Sequence, residues 1–223
     1  LQLRYEELMR KAKIAAGKTL LYREPPHYIT LGKELPAKAL DEILTDHAEV
    51  FTELKEYYKQ TSESDTTKIS FYEDTYSLYN LYRFAHYYEE AYGKYIWLKS
   101  GASLVIEHTE AMTVIDVNTG SVLKKKKQED TLFYQINREA AKEIARQLRL
   151  RNISGIIMID FINMKDTAQK EKLLSLLDSE CKKDRVHCNV IDMTALNLVE
   201  MTRSKVRKPL HEQIRSCMKN NRS

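Results

Sequence analysis

The fold is decided by three consecutive stretches: AMTVIDVNTG (residues 111–120), EDTLFYQINREAAKEIARQLRL (129–150) and ISGIIMIDFI (153–162). The middle stretch predicts an amphipathic helix, because apolar residues recur at intervals of four: Leu132, Ile136, Ala140, Ile144 and Leu148. The first and third stretches predict strands, and residues 153–162 are so apolar that we expect burial on both faces of that strand. Strand, helix and strand in this order indicate a sheet with a right-handed crossover.

The rest of the chain also alternates between helical and strand-like segments. Further strands are predicted at residues 19–24, 41–46, 68–73, 95–98, 103–108 and 187–193. Further helices are predicted at residues 1–16, 76–92, 165–182 and, weakly, 209–217, with a polar surface loop at 61–67. The three strands between residues 95 and 117 follow one another closely, which favours hairpin pairing. We therefore predict an α/β fold with mixed sheets flanked by helices.

Length and composition indicate a soluble globular protein. The chain has 223 residues, of which 43% are hydrophobic and 30% charged, enough for one good core or two small ones. No apolar stretch is long enough to span a bilayer, and Leu1 begins neither a signal peptide nor an initiator-methionine start, so we expect a fragment. The three cysteines show no C-x-x-C spacing, which favours a reducing cytoplasm.

Basic residues are concentrated in the second half of the chain. The net charge is only +4, but an unbroken basic run follows the first strand motif and arginines stand near residues 150 and 203: Lys124, Lys125, Lys126, Lys127, Arg149, Arg151 and Arg203. We expect a polyanion to approach this half. For the lysine run a solvated loop is the alternative, and for Arg149 and Arg151 it is pairing with the helix dipole.

Each strand that flanks the central helix carries an aspartate near its carboxyl end. Because side chains alternate between strand faces, Asp116 and Asn118 share one face of the first strand, and Asp160 shares a face of the second with Met158. Strands joined by one crossover helix are natural sheet neighbours. We therefore expect the two carboxylates to converge.

Two buried carboxylates in contact repel each other, and a divalent cation removes the conflict. Mg²⁺ typically binds one or two carboxylates and completes its coordination with water and phosphate oxygens. Asp116 and Asp160 are thus candidate magnesium ligands, and Asn118 would donate a hydrogen bond to Asp116 and fix its direction. Taken singly, each aspartate is better explained as a cap for the turn that follows; the pairing favours the metal.

Three motifs resemble the catalytic region of the ribonuclease E/G family: LKSGASLVIEHTEAMTVIDVNTG (98–120), INREAAKEIARQLRLRNISGIIMIDFINM (136–164) and LNLVEMTRSKVRKPL (196–210). The similarity begins near residue 19 and is densest from 97 to 210. It implies that residues 1–17 are the tail of an upstream, 5′-sensor-like domain. It also implies an RNase H-like subdomain at 18–94 and a DNase I-like catalytic subdomain at 95–223.

The resemblance also implies an activity. Asp116 and Asp160 would bind the catalytic Mg²⁺ with Asn118 orienting the first, and the basic residues named above would contact RNA. The reaction would be endonucleolytic hydrolysis of single-stranded, A/U-rich RNA during RNA processing or decay. It would leave 5′-phosphate and 3′-hydroxyl ends and prefer a 5′-monophosphorylated substrate.

The chain departs from the family pattern in several places. The upstream oligonucleotide-binding barrel and 5′ sensor are not expected within it, and Asn163 stands where the second motif often has an acid. Members commonly continue into a C-P-x-C link that shares zinc between protomers. Cys217 stands near that place without a partner cysteine, so no zinc-shared dimer is expected, while a homo-oligomer of another kind stays open.

Other residues carry weaker signals. Cys181, His187 and Cys188 lack a four-ligand set, which favours structural roles over zinc binding. An aromatic series could stack RNA bases, but its helical spacing favours packing in the core: Tyr72, Tyr76, Tyr79, Tyr82, Tyr87, Tyr88, Tyr92, Tyr95 and Trp97.

Two rival functions remain. A non-catalytic RNA-binding module would need the basic surface without the acids. A magnesium-dependent phosphatase or nucleotide hydrolase would use the acids, but the sequence shows no Walker-type glycine loop.

Overall fold

The computed structural model describes residues 2–23, 25–34, 40–61, 68–120 and 129–220. The chain divides into two compact units, Leu1–Arg83 and Phe84–Ser223. Both units combine helices with strands, as the predicted α/β class requires. The RNase H-like and DNase I-like assignments, and the predicted domain limits at 17 and 94, stay predictions.

The first unit is small and helical around one pair of strands. Its elements are α1 (Gln2–Ile14), α2 (His27–Glu34), β1 (Glu42–Thr45), α3 (Ala48–Thr61), β2 (Lys68–Phe71) and α4 (Leu78–Leu81). The strands are parallel, with Ile43 opposite Ile69, and α3 is the crossover between them. Leu54 and Tyr58 of α3 form the buried core with Ile29 of α2.

Two sequence predictions, one in the first unit and one that spans the division at Arg83, are wrong. Residues 19–23 form no strand; in the described part of this unit β1 and β2 pair only with each other, and Pro25 and Pro26 stop the segment before α2. Residues 76–92 do not form one helix, because Arg83 adopts a left-handed φ of 51° that interrupts it. Residues 62–67 of the predicted loop lie outside the described residues.

The second unit is built on a six-stranded mixed sheet. Its elements are α5 (Phe84–Tyr92), β3 (Tyr95–Trp97), β4 (Ser103–His108), β5 (Met112–Asn118), α6 (Glu129–Leu150), β6 (Gly155–Asp160), α7 (Thr167–Cys181), β7 (Cys188–Met193), β8 (Leu198–Arg203) and α8 (Leu210–Asn220). The strand order is β3-β4-β5-β6-β8-β7. The predicted hairpins β3-β4-β5 and the parallel pair β5-β6 across α6 are confirmed. Strand β8 was not predicted and lies antiparallel between β6 and β7.

Helices α6 and α7 pack on one face of this sheet. Ile144 and Leu148 of α6 and Leu173 of α7 belong to one buried cluster with alternate strand residues such as Ile115 and Ile157. The opposite face, called the open face below, is partly exposed along β4, β5, β6 and β8. The expectation that β6 is buried on both faces is therefore wrong.

The aromatic series is exposed instead of packed in a core. Every member except Tyr72 keeps about half or more of its surface accessible, from 49% for Tyr79 to 72% for Trp97. The helical spacing that predicted core packing was misleading, because the break at Arg83 divides the segment into two short helices. Within the described residues, no helix combines the length and apolarity that crossing a membrane requires.

Candidate active site

Asp116 and Asp160, called the acid pair below, lie directly opposite each other on the parallel strands β5 and β6. Each is at the carboxyl end of its strand, because β5 ends at Asn118 and β6 at Asp160. Residues opposite each other in a ladder project to the same face, here the open face, since Ile115 and Ile159 project into the core. The predicted convergence of the two acids is thus confirmed by the register.

The acid pair is not buried, which corrects the sequence-based expectation. Asp116 is half-buried and Asp160 is exposed. Partial desolvation, followed by the negative charge of Asp116, nevertheless raises the pKa of the Asp160 carboxyl. Among the described residues, no lysine or arginine forms an ion pair with either acid. The site therefore holds concentrated negative charge that a cation would stabilise.

Asn118 contacts the acid pair as the sequence predicted. Its side-chain Nδ2 donates a hydrogen bond of 2.7 Å to Oδ2 of Asp116. The bond engages one of the two carboxylate oxygens of Asp116. Asn118 can therefore set the direction of the Asp116 carboxylate.

Asn137 supports the second acid, and sequence reasoning missed it. This fully buried side chain of α6 donates to the carbonyl of Ile162 at 2.7 Å and accepts from its N–H at 3.0 Å. The two bonds fix the backbone two residues after Asp160. A signal was present, because a polar residue interrupts the apolar row between Phe133 and Ala141 on the helix.

The turn between β3 and β4 is fixed next to Asn118. Glu139 of α6 accepts hydrogen bonds from the backbone N–H groups of Lys99 (2.7 Å) and Ser100 (3.2 Å). Gly120, two residues after Asn118, has a φ of +57°, and a Cβ there would lie 2.7 Å from the carbonyl oxygen of Gly101. Only glycine fits this close approach, which joins the end of β5 to the fixed turn.

The capping alternative receives no support in the described part of the chain. Helix α7 is capped by Asp166, whose side chain accepts from the N–H of Ala168, and not by Asp160. Within the described residues, the hydrogen bond to Asp116 comes from the side chain of Asn118 and not from a turn N–H. The geometry thus leaves both acids available to a ligand.

The predicted basic residues do not gather around the acid pair where they are described. Lys124, Lys125, Lys126 and Lys127 lie outside the described residues. Arg149 is exposed at the end of α6 and reaches the carbonyl of Glu180.

Arg151 and Arg203 are each only 4% exposed. Arg151 donates to Gln147 and to the carbonyl of Glu90. Arg203 forms a buried ion pair of 2.9 Å with Asp184, and its strand position, opposite Gly155, is at the far end of β6 from Asp160. Their RNA contacts stay predictions, and these bonds give both arginines a structural role.

The donor set of the acid pair fits Mg²⁺ better than zinc. Two carboxylates and no sulfur or imidazole converge here, and the described residues contain no group of three or more His, Cys, Asp or Glu side chains arranged to hold a metal. Magnesium needs only one or two carboxylates when water and substrate phosphate complete its octahedron. Asp116 and Asp160 could supply those two.

Comparisons with known proteins agree with this arrangement. The profile of the Ribonuclease E/G family matches residues 1–206. The chain is 37% identical over 203 residues to Ribonuclease G of Haemophilus influenzae, covering 91% of this chain and 41% of that protein. It is 34% identical over 206 residues to Ribonuclease G of Escherichia coli, covering 92% of this chain and 42% of that protein. It is 31% identical over 215 residues to Ribonuclease E of Nostoc sp., covering 95% of this chain and 31% of that protein. The chain thus spans less than half of each of these relatives.

Proposed function

Because the chain belongs to the ribonuclease E/G family, we propose that it carries the catalytic site of a magnesium-dependent endoribonuclease. The observation that supports this most strongly is the register that sets Asp116 beside Asp160. Two acids from separate strands, without a cationic partner in the described part of the chain, form a site suited to a divalent ion. The relatives are named ribonucleases, which favours RNA as the substrate.

The residues of the site have separable roles in this proposal. Asp116 and Asp160 would hold Mg²⁺, and bound Mg²⁺ would neutralise charge on the scissile phosphate and make a water molecule more acidic. Asn118 fixes the direction of Asp116, and Asn137 fixes the backbone beyond Asp160. Partial desolvation, followed by the negative charge of Asp116, raises the pKa of Asp160, so activity should fall as the pH decreases and protonates Asp160.

The shape of the site suits a polymer. Asp160 is exposed on the open face, so a single strand of RNA can cross the sheet without entering an enclosed cavity. We propose single-stranded, A/U-rich RNA with a preference for a 5′-monophosphate, and products with 5′-phosphate and 3′-hydroxyl ends. A cytoplasmic role in RNA processing or decay belongs to the same proposal. These finer points rest on the family resemblance.

The test is cleavage of a 5′-monophosphorylated A/U-rich oligonucleotide with Mg²⁺ or with EDTA. Asp116→Asn and Asp160→Asn should each lower the rate by about 1,000-fold, because each removes a charge from the ion site, and EDTA should abolish cleavage. Asp192→Asn is the matched control, since Asp192 is an exposed acid on the edge strand β7. Circular dichroism should show the same fold for all variants.

Two outcomes would contradict the proposal. Cleavage that persists in both acid variants would exclude the acid pair as the site. RNA binding by the unaltered chain without magnesium-dependent cleavage would instead support the non-catalytic binding module.

A further inference from the structure

The edge strand β3 presents two exposed aromatic side chains to the open face. Tyr95 is 60% exposed and Trp97 is 72% exposed, whereas Ile96 between them is buried at 6%. This alternation is the ordinary period of a strand, so the two aromatic rings share one face. Large aromatic side chains that stay this exposed on a sheet face are typical of a binding surface.

The sheet register places these rings in line with the site. Tyr95 is opposite Val105, which is opposite Asp116, and Trp97 is opposite Ser103, which is opposite Asn118. Each ring therefore lies two strand spacings, about 10 Å, from the residue at its level on β5. A strand of RNA with a phosphate at the acid pair would bring its neighbouring bases over β3.

The platform is held rigidly. Glu139 accepts hydrogen bonds from the backbone N–H groups of Lys99 and Ser100, two and three residues after Trp97. The N–H of Ile106 donates to the carbonyl of Lys94, directly before Tyr95. Exposed Lys99 beside Trp97 supplies a positive charge for the RNA backbone. Rigid aromatic surfaces with cations beside them are the usual elements of single-strand binding, because every base offers a π-face.

We propose that Tyr95 and Trp97 form a base-stacking platform that holds the RNA strand next to the acid pair. The inference rests on the proposed function for its ligand, but the binding titration in EDTA does not require cleavage. It assigns substrate positioning to β3, separate from the chemistry at Asp116 and Asp160. Stacking tolerates any base, so the platform would favour single strands over duplexes and not one sequence over another.

Trp97 is the only tryptophan of the chain, so its fluorescence reports the platform directly. We would titrate an A/U-rich single-stranded RNA decamer into the protein in EDTA and follow tryptophan emission together with the anisotropy of a label on the RNA. Quenching should track binding, and it should persist in Asp116→Asn, which separates stacking from catalysis. An oligomer of abasic ribose phosphates should bind weakly without quenching.

The variants distinguish positioning from a structural role. Trp97→Ala should raise the KM for RNA roughly 5- to 150-fold while kcat changes little, and Trp97→Phe should restore most of the loss. Tyr95→Ala should behave similarly. Tyr88→Ala is the control, because Tyr88 is a similarly exposed aromatic on α5, outside the platform.

Three results would overturn the platform: binding of the RNA without a change in Trp97 emission, no binding at all, or an unchanged KM in Trp97→Ala. An emission that changes with protein concentration in the absence of RNA would show that a second copy covers the surface instead.

Discussion

The two faces of the six-stranded sheet are made from alternate residues of the same strands, yet they differ in burial and in charge. Ile115, Ile157 and Ile159 are fully buried under α6 and α7. Asp116 and Asp160, the next residues along β5 and β6, lie on the open face with the aromatic residues of β3. The covered face supplies the stability that keeps two like charges side by side on the other. One strand can serve both purposes because its period is two.

The largest effect expected on stability separates the faces within one strand. Ile157→Ala should lower the free energy of unfolding by about 3 kcal/mol, because it leaves a cavity under the helices. Ile156→Ala, at the neighbouring position on the open face, should cost less than about 1 kcal/mol, since Ile156 is 49% exposed. Urea unfolding of both variants measures the difference. Equal losses would mean that the open face is covered in solution.

The sequence could predict the covered face because its pattern is local. The fourfold spacing in α6 and the apolar runs of β5 and β6 specify a strand, a helix and a strand, and alternation then places Asp116 and Asp160 on one face. The contact between Asn118 and Asp116 followed from the same alternation, and both residues lie on one strand. Short-range periodicity was therefore enough for the acid pair.

The open face could not be predicted in the same way. Strand β8 lies between β6 and β7, and this order depends on long-range pairing that no local pattern encodes. Burial of β6 on both faces was inferred from apolar content alone, which does not reveal that the helices cover a single face. The exposure of Tyr95 and Trp97 was missed for the same reason, because exposure is a property of what packs above a residue.

A smaller effect on stability is expected for Asn137, which connects helix α6 on the covered face to the backbone that follows Asp160. Asn137→Ala should lower the free energy of unfolding by about 2 kcal/mol, because the N–H and the carbonyl of Ile162 lose their partner. It should also lower kcat on the order of 10-fold, since Asp160 lies two residues before the released backbone. Gln135→Ala, at an exposed position of α6, is the control for helix propensity. A loss of stability without a loss of kcat would show that Asn137 supports the core and not the site.

The smallest effect on stability is expected at the end of the sheet away from the acid pair, where a pair of histidines can be protonated. His108 at the end of β4 stacks on His211 of α8 with ring centroids 3.9 Å apart, and its Nδ1 lies 3.0 Å from Oγ1 of Thr113. Burial, then the nearby His211 and Arg151, lower the pKa of His108 to about 4 from 6.5. Burial also lowers the pKa of His211. The two histidines line a cavity together with three charged residues: Glu107, Lys94 and Arg215.

The direction in which stability changes with pH follows from proton binding by residue 108. Between about pH 6.5 and about pH 4 the unfolded chain binds a proton at residue 108 that the folded protein does not, so the free energy of unfolding falls as the pH decreases through this window. His108→Gln keeps a group that can hydrogen-bond to Thr113 but removes the titration, so its stability should fall less steeply between pH 7 and pH 5 in urea unfolding. The matched change at exposed His187 tests whether removing any histidine has this effect. Parallel pH profiles for the unaltered protein and His108→Gln would show that residue 108 binds its proton equally well in the folded and the unfolded chain, and the acid sensitivity would then not originate in His108.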